Sequence, residues 1–305
     1  MQLLTLTTAW GTALRLRAYG RQAAGLAALG VVVAFASPDP NLERAAELYQ
    51  RTAYPESLRL LEASTEKTPP TYELMGKCFY RLEEFSKATD VLEKAVAADP
   101  RNASYWDWLG KAYGRRAETS SFITAPRYAV KAREHFERAL MLDPQNQEAL
   151  SDLFDYYLEA PGFLGGGMDK AANLSERIRD RDPAKYHAMK ARLAEKRKEF
   201  QQAEQFWRQA VQLAPAQAGR LVDLAKFLAR QRRFSESDEM FERAAKIAPD
   251  NAELKFERAK TYVESKRNVD LARRLLEEYL KSTLTPDDPP RTEAESLLKS
   301  IPRTG

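Results

Sequence analysis

The stretch YELMGKCFYRLEEFSKATDVLEKAVAADP, residues 72–100, carries the pattern that decides the fold. Small residues, such as Gly76 and Ala88, recur between large apolar ones at helical spacing, and Pro100 closes the stretch. Apolar residues three and four positions apart predict amphipathic helices, and proline ends a helix because it cannot donate the next backbone hydrogen bond. The stretch therefore predicts two helices that touch at their small residues.

The same pattern recurs along most of the chain with a period of about 34 residues. Because one pair of helices cannot bury its apolar face alone, the copies are expected to stack on one another. The prolines that close the copies are Pro69, Pro100, Pro144, Pro183, Pro215 and Pro249. The expected units are 40–68, 69–102, 103–146, 147–183, 184–217, 218–251 and 252–285, followed by a capping helix and tail in 286–305.

These repeats resemble the tetratricopeptide repeat (TPR) family over nearly all of residues 40–285. The resemblance implies an all-α fold, a right-handed α-solenoid of stacked antiparallel helix pairs. It also implies a concave groove, lined by the first helix of each pair (helix A), in which members of the family usually bind extended peptides. At the groove position of the repeat this chain has Lys77, Lys111, Asp155, Arg192, Lys226 and Lys260.

Five of these six groove residues are cations, and two interpretations of them remain open. Glu73 and Asp107 lie one turn before Lys77 and Lys111, a spacing typical of exposed ion pairs on one helix. Alternatively, the row of cations binds an acidic peptide, although the groove asparagines of the family's carboxylate clamps are missing. The later repeats are more apolar on this face, which suits an amphipathic partner helix. The apolar positions are Val222, Ala229, Phe256 and Val263.

Two neighbouring units are longer than the period, and both extra segments fall between helix A and the second helix, helix B. One segment lies around 115–128 and the other around 160–170. Because all such turns lie on one edge of a solenoid, we expect these two loops to be neighbours. Their apolar side chains either bury against each other or form a contact surface for a partner. These residues are Phe122, Ile123, Phe163 and Leu164.

The glycine-rich run EAPGFLGGGMDKA, residues 159–171, is a candidate phosphate site. A P-loop requires a lysine and then a hydroxyl residue after its last glycine, and a strand before the loop. Here Met168 follows Gly167, and the segment before the run is predicted to be a helix. We therefore interpret the glycines as a turn between two helices.

The first 36 residues have the composition of a secretory signal peptide. Arg15, Arg17 and Arg21 precede an apolar run over residues 23–36, which is shorter than the roughly 20 residues that a membrane span requires. Cleavage after this run would start the mature chain at Ser37. We therefore expect an exported protein, periplasmic or extracellular, that is not inserted in a membrane after cleavage. An uncleaved N-terminal anchor is the alternative.

Beyond this segment the charges of the chain almost balance. The sequence has 48 basic and 44 acidic residues, and three of the basic ones lie in the first 36 positions, which leaves 45 against 44. No basic block remains that could follow a phosphate backbone, so nucleic-acid binding is disfavoured.

Side chains typical of catalysis or metal binding are few. The chain has two histidines, His135 and His187, and one cysteine, Cys78. The histidines are expected far apart in the solenoid, on its surface or at helix ends, and the cysteine is expected as a small buried residue of a helix. Neither a nucleophile with its base nor a metal-ligand spacing results. The sequence therefore predicts no catalytic residue, no cofactor and no metal.

The leading hypothesis is a non-enzymatic scaffold that binds a peptide or helix of a partner protein, either in the groove or on the loop edge at 115–128 and 160–170. A subunit of an envelope-assembly or secretion complex is the alternative. A regulatory module of an enzyme is a weaker one. The identity of the partner and the oligomeric state stay open, because such a repeat specifies its own packing rather than its ligand.

Overall fold

The computed structural model describes residues 40–302, which form helices and turns and contain no strand. The expected signal peptide, with its cleavage site after Ala36, lies outside these residues. Within residues 40–302, no helix has both the length and the apolar character that crossing a membrane requires.

The helices follow one another in pairs, helix A and then helix B, and a single helix ends the series. The pairs are α1 (Pro40–Gln50) with α2 (Tyr54–Ala63), α3 (Pro69–Arg81) with α4 (Phe85–Ala98), α5 (Ala103–Thr119) with α6 (Ala125–Leu142), α7 (Gln147–Glu159) with α8 (Met168–Glu176), α9 (Pro183–Lys196) with α10 (Phe200–Leu213), α11 (Ala218–Arg230) with α12 (Phe234–Ile247), and α13 (Ala252–Glu264) with α14 (Val269–Lys281). Helix α15 (Arg291–Ser300) follows alone.

Each helix packs against the next one along the chain. Small residues lie where the two helices of a pair touch. A β-carbon added to Gly76 would overlap the side chain of Leu92, and one added to Gly110 would lie 2.7 Å from the ring of Phe136. Buried alanine, leucine and aromatic side chains continue from α1 to α15. This arrangement confirms the predicted all-α solenoid of stacked helix pairs with a C-terminal capping helix.

The polar turns between repeats cap the N-terminus of the next helix A. The side-chain oxygen of Asn102 accepts a hydrogen bond from the amide of Ser104 at 2.9 Å, and that of Asn251 accepts one from Leu254 at 2.6 Å. Asn146 caps α7 in the same way. These bonds satisfy amides that the start of a helix leaves without intrahelical partners. The Pro-x-Asn motifs of the sequence thus end one helix B and start the next helix A.

The turns from helix A to helix B share one unusual backbone conformation. Five of them place a residue other than glycine at a φ between 54° and 62°, in the left-handed region that side-chain-bearing residues rarely adopt. In this conformation the amide of the following residue donates a hydrogen bond to a carbonyl in the last turn of helix A. The amide of Glu84, for example, donates to the carbonyl of Phe79 at 2.9 Å. We call the edge that carries all these turns the A–B edge. The five residues at this shared turn position are Thr52, Glu83, Lys198, Arg232 and Lys266.

The extra residues of the third pair lengthen its helices rather than forming the long loop that the sequence suggested. Helix α5 has 17 residues and α6 has 18, compared with 13 in α3 and 14 in α4. The added turns pack on each other, since the Tyr113 and Tyr128 rings stack at 5.9 Å and the Arg116 guanidinium lies 4.4 Å from the Tyr128 ring. The connecting turn covers only residues 120–124. In the fourth pair, the extra residues do form a turn, with a 3₁₀ helix at Gly162–Leu164.

Candidate binding surfaces

The groove positions of helix A carry cations that are already paired with acids. Lys77 pairs with Glu73 of its own helix, with 2.8 Å between Nζ and Oε1. The other four cations pair across a repeat boundary with a carboxylate on a neighbouring helix A or on α15. A partner's carboxylate would therefore have to displace an existing pair at every cation of the row. The inter-repeat pairs are Lys111 with Glu148, Arg192 with Asp155, Lys226 with Glu257 and Lys260 with Glu293.

Lys111 is surrounded by three carboxylates. Its Nζ lies 2.8 Å from Oδ2 of Asp107, 2.7 Å from Oε2 of Glu148 and 3.4 Å from Oδ2 of Asp152. It also lies 4.7 Å from the centre of the Trp108 ring. The side chain of Asp107 is only 2% exposed, so Asp107 and Lys111 are not the exposed pair that the sequence indicated. The cluster instead ties α5 to α7.

One ammonium group cannot fully compensate three carboxylates in this setting. Burial raises the pKa of Asp152 to about 7 against the opposing charge of Lys111, and the Asp107 carboxylate adds to the increase. Burial also raises the pKa of Asp107. One oxygen on each of the two, Oδ1 of Asp107 and Oδ2 of Asp152, is buried without a hydrogen-bond partner. A proton bound by Asp152 reduces the excess of negative charge beside Lys111.

Replacing Asp152 with asparagine is expected to stabilise the protein at pH 8 and to leave it nearly unchanged at pH 4. Because folding raises the pKa of Asp152, the folded state binds this proton more tightly than the unfolded state does. The free energy of unfolding therefore falls as the pH rises from about 4 to about 7. Asparagine stays neutral and can donate to Asp107, so Asp152→Asn should add about 1–2 kcal/mol at pH 8. Urea unfolding at the two pH values measures the difference.

The matched control is Asp250→Asn, which changes an exposed acid in the turn before α13. This variant removes the same charge from the chain and should change stability little at either pH. Equal stabilisation by both variants would reveal a general charge effect and contradict the role given to the pair.

Apolar residues that the sequence placed in the groove are buried in the core instead. Phe256 is 1% exposed, and its ring centre lies 5.2 Å from that of Tyr279. Val222 and Ala229 are also buried, and Val263 is half-buried. The prediction of Phe256 as a groove contact is therefore wrong, because α14 and the capping helix α15 close over this end of the solenoid.

The loop residues of the third and fourth pairs are exposed at the A–B edge. Phe122 is 87% exposed, Ile123 74% and Phe163 83%, while Leu164 is half-buried. The first of the two interpretations, in which these side chains bury against each other, is thus wrong for three of the four. The second of these loops is tied to the helices beside it. The 3₁₀ helix packs on α6, and the hydroxyl of Tyr156 donates to the carbonyl of Leu164 at 2.9 Å.

Solved structures share this architecture. A tetratricopeptide repeat protein from Parabacteroides merdae matches with a TM-score of 0.57 at 14% identity, over 86% of this chain and 97% of its own. A thermophilic TPR protein from Thermus thermophilus matches with a TM-score of 0.50 at 19% identity, over 62% of this chain and 97% of its own. The chain has the TPR fold. No protein-family model matches its sequence, and no curated protein matches it.

The glycine-rich turn of this TPR solenoid uses its amides internally. A phosphate cradle needs several backbone N–H groups that point at the ligand. Here three consecutive amides donate within the turn or to the end of α7, so they are not available to an anion. The bonds are Gly165 to Gly162 at 2.9 Å, Gly166 to Pro161 at 3.2 Å and Gly167 to Tyr157 at 2.8 Å.

The two histidines are half-buried among aromatic rings of the TPR solenoid. His135 lies between Trp106 and Tyr113, with ring centres 5.4 and 5.3 Å away. His187 lies beside Phe206 at 5.9 Å. Burial lowers the pKa of His135 to about 4 and also lowers the pKa of His187. Both are therefore neutral packing residues at physiological pH.

Cys78 is a core residue, as its position in the repeat predicts. It is fully buried, and its Sγ lies 3.4 Å from the hydroxyl of Ser57. Burial raises the pKa of the thiol to about 11, so the nucleophilic thiolate does not form at neutral pH. In the described part of the chain, no three histidine, cysteine or acidic side chains are placed to hold a metal ion.

Sequence reasoning missed a cavity on the A–B edge between the sixth and seventh helix pairs. The cavity has a volume of about 610 Å³. Its signal is present in the sequence, because the turns RQRRF at 230–234 and SKR at 265–267 contain five cations and no acid. The lining residues are Lys226, Ala229, Arg230, Arg232, Phe234, Thr261, Glu264, Ser265 and Lys266.

Proposed function

We propose that this protein is a non-enzymatic scaffold that binds a partner protein through the A–B edge of its third and fourth helix pairs. The observation that carries this proposal is the exposure of Phe122, Ile123 and Phe163 on the A–B turns of two consecutive helix pairs. Burying one large apolar side chain that starts in water contributes about 1.5–3 kcal/mol. Exposed large apolar side chains of this kind are typical of protein contact sites.

The loop edge is favoured over the cationic row of the groove. The groove cations already have acidic partners, so a peptide that binds them must replace ion pairs and gains little. Binding at the loop edge breaks no ion pair, because its exposed apolar side chains contact only water before the partner binds. The groove remains a second candidate only where an acidic partner brings several carboxylates at once.

An exported location is part of the proposal. It is supported by the three arginines and the apolar run that precede Ser37 in the sequence. A subunit of an envelope-assembly or secretion complex would combine this location with a partner-binding edge. A regulatory module of an enzyme would need a catalytic partner on the same edge.

Capture of partners with the form that starts at Ser37 tests the contact surface. The test variant combines Phe122→Ser, Ile123→Ser and Phe163→Ser. We expect the proteins enriched by the wild-type chain to be lost from this variant, and purified partner to bind it about tenfold more weakly or worse. The thermal melt should stay within a few degrees, because the changed side chains are exposed.

The control combines Met141→Ser, Leu213→Ser and Ile247→Ser, three apolar residues that are exposed elsewhere on the solenoid. It makes the same kind of apolar-to-serine change at residues that are 68%, 51% and 41% exposed, and it should capture the same proteins as wild type. If the loop variant captures what wild type captures, the loop edge is not the contact surface. Equal losses from both variants would indicate non-specific adhesion.

A further inference from the structure

The A–B turns of the last three helix pairs form a basic surface. Residues 195–200, 229–234 and 263–269 contain eight lysines and arginines and three glutamates, a surplus of five positive charges. The chain as a whole carries a formal net charge of only +4, so this surplus is strongly localised. Some of these cations are paired, such as Arg267 with Asp238 at 2.7 Å. The rest require a different explanation.

The cavity between the sixth and seventh pairs lies within this surface and is lined by four cations and one acid. Lys226 and Arg230 each have an acidic partner, at 2.5 Å from Glu257 and 2.7 Å from Glu195 respectively. Arg232 and Lys266 have no ion pair in the part of the chain that the structure describes, and both are exposed. Even with the two partner acids counted, positive charge remains in excess.

The turn backbone fixes where these two unpaired cations lie. Arg232 and Lys266 occupy equivalent left-handed positions, with φ of 60° and 54°, in consecutive turns of the A–B edge. They therefore stand on either side of one cavity, one from each repeat. The lining also includes two apolar residues, Ala229, which is buried, and Phe234, whose ring lies 4.7 Å from the Arg267 guanidinium.

We propose that this cavity binds an acidic segment of a partner protein, with aspartate or glutamate carboxylates pairing with Arg232 and Lys266. The inference rests on the proposed scaffold function and names the chemistry of a second contact. The excess of positive charge favours an anionic ligand. The concave shape favours the side chains of a peptide over a lipid surface, because a flat surface cannot enter a cavity. Ala229 and Phe234 can contact the methylene groups of the same side chains.

Fluorescence anisotropy with a labelled peptide of aspartate, glutamate and leucine residues tests this site. A neutral peptide with asparagine and glutamine in place of the acids is the reference probe. We expect the wild-type chain to bind the acidic peptide and not the neutral one. The variant Arg232→Glu with Lys266→Glu should lose about tenfold or more in affinity, because it places like charges in the site.

The matched control is Arg197→Glu with Lys198→Glu, in the equivalent turn of the fifth pair. This variant makes the same charge change, and Lys198 has the same left-handed backbone with a φ of 62°, but neither residue lines the cavity. The control should keep its affinity within about threefold. Melting curves of both variants establish that they are folded.

Three results would overturn the inference. The wild-type chain could fail to discriminate the acidic peptide from the neutral one. Both charge-reversal variants could lose affinity equally, which would indicate a general electrostatic effect. A single-stranded oligonucleotide or anionic lipid vesicles could bind more tightly than the peptide and lose binding in the Arg232 and Lys266 variant. None of these results would affect the loop edge, whose test uses different residues and a different readout.

Discussion

Replacing Phe256 with alanine is expected to lower the free energy of unfolding by about 3–5 kcal/mol, the usual cost of removing a buried aromatic ring. The ring is 1% exposed and packs 5.2 Å from Tyr279, in the core shared by α13, α14 and α15. Its loss leaves a cavity in this core. Because repeats stabilise mainly their neighbours, the effect should be largest in the last helix pair.

Urea unfolding followed by circular dichroism measures the total change, and hydrogen exchange locates it in α13 to α15. The matched control is Phe122→Ala, the same substitution at a ring that is 87% exposed. It should change the stability by no more than about 0.5 kcal/mol. Similar behaviour of the two variants would mean that Phe256 faces the groove, as the repeat pattern alone had suggested.

Replacing Gly166 with alanine is expected to cost about 2–3 kcal/mol. A β-carbon at this position would overlap the carbonyl oxygen of Ala160 and lie 2.6 Å from its carbonyl carbon. Because the obstacle is backbone and not the end of a flexible side chain, the turn between α7 and α8 must shift to make room. Such a shift would break the hydrogen bond from the Gly166 amide to Pro161.

Gly162→Ala is the control from the same turn. A β-carbon there meets nothing within 4 Å, so this variant should melt within about a degree of wild type. Thermal unfolding of both variants decides between two views of the glycine-rich turn. If Gly166→Ala is as stable as Gly162→Ala, the glycines provide only flexibility. A selective loss shows that a glycine is required for close packing.

The pattern of small, large and proline residues was sufficient to predict the helix pairs, because it is a local property of about 34 residues. Gly76 and Gly110 mark the points where two helices cross, and in the structure they pack against Leu92 and Phe136 respectively. Asn102 and Asn251 mark the starts of two helices, because their side-chain oxygens accept hydrogen bonds from the amides two and three residues ahead. All of these contacts lie within one repeat or one turn, so the spacing in the sequence determines them.

The candidate surfaces were predicted less well, because they depend on contacts between repeats. Lys111 and Glu148 are 37 residues apart, and no helical spacing indicates that their side chains meet. The same holds for the cavity that Arg232 and Lys266 share. The loop residues Phe122 and Phe163 were identified from the sequence because their segments exceed the repeat period. Their exposure was not predictable from the sequence.

By itself, the sequence determined the repeat, the helix pairs, the helix crossings and the buried position of Cys78, since each follows from a pattern along one or two helices. Only the tertiary structure decided that the groove cations are paired, that Phe256 belongs to the core and that the loop edge is exposed. The physical reason is the stacking of the repeats. Stacking brings together residues about one period apart, and the geometry and charge of their side chains determine which of them pair. A pattern within one repeat does not contain this information.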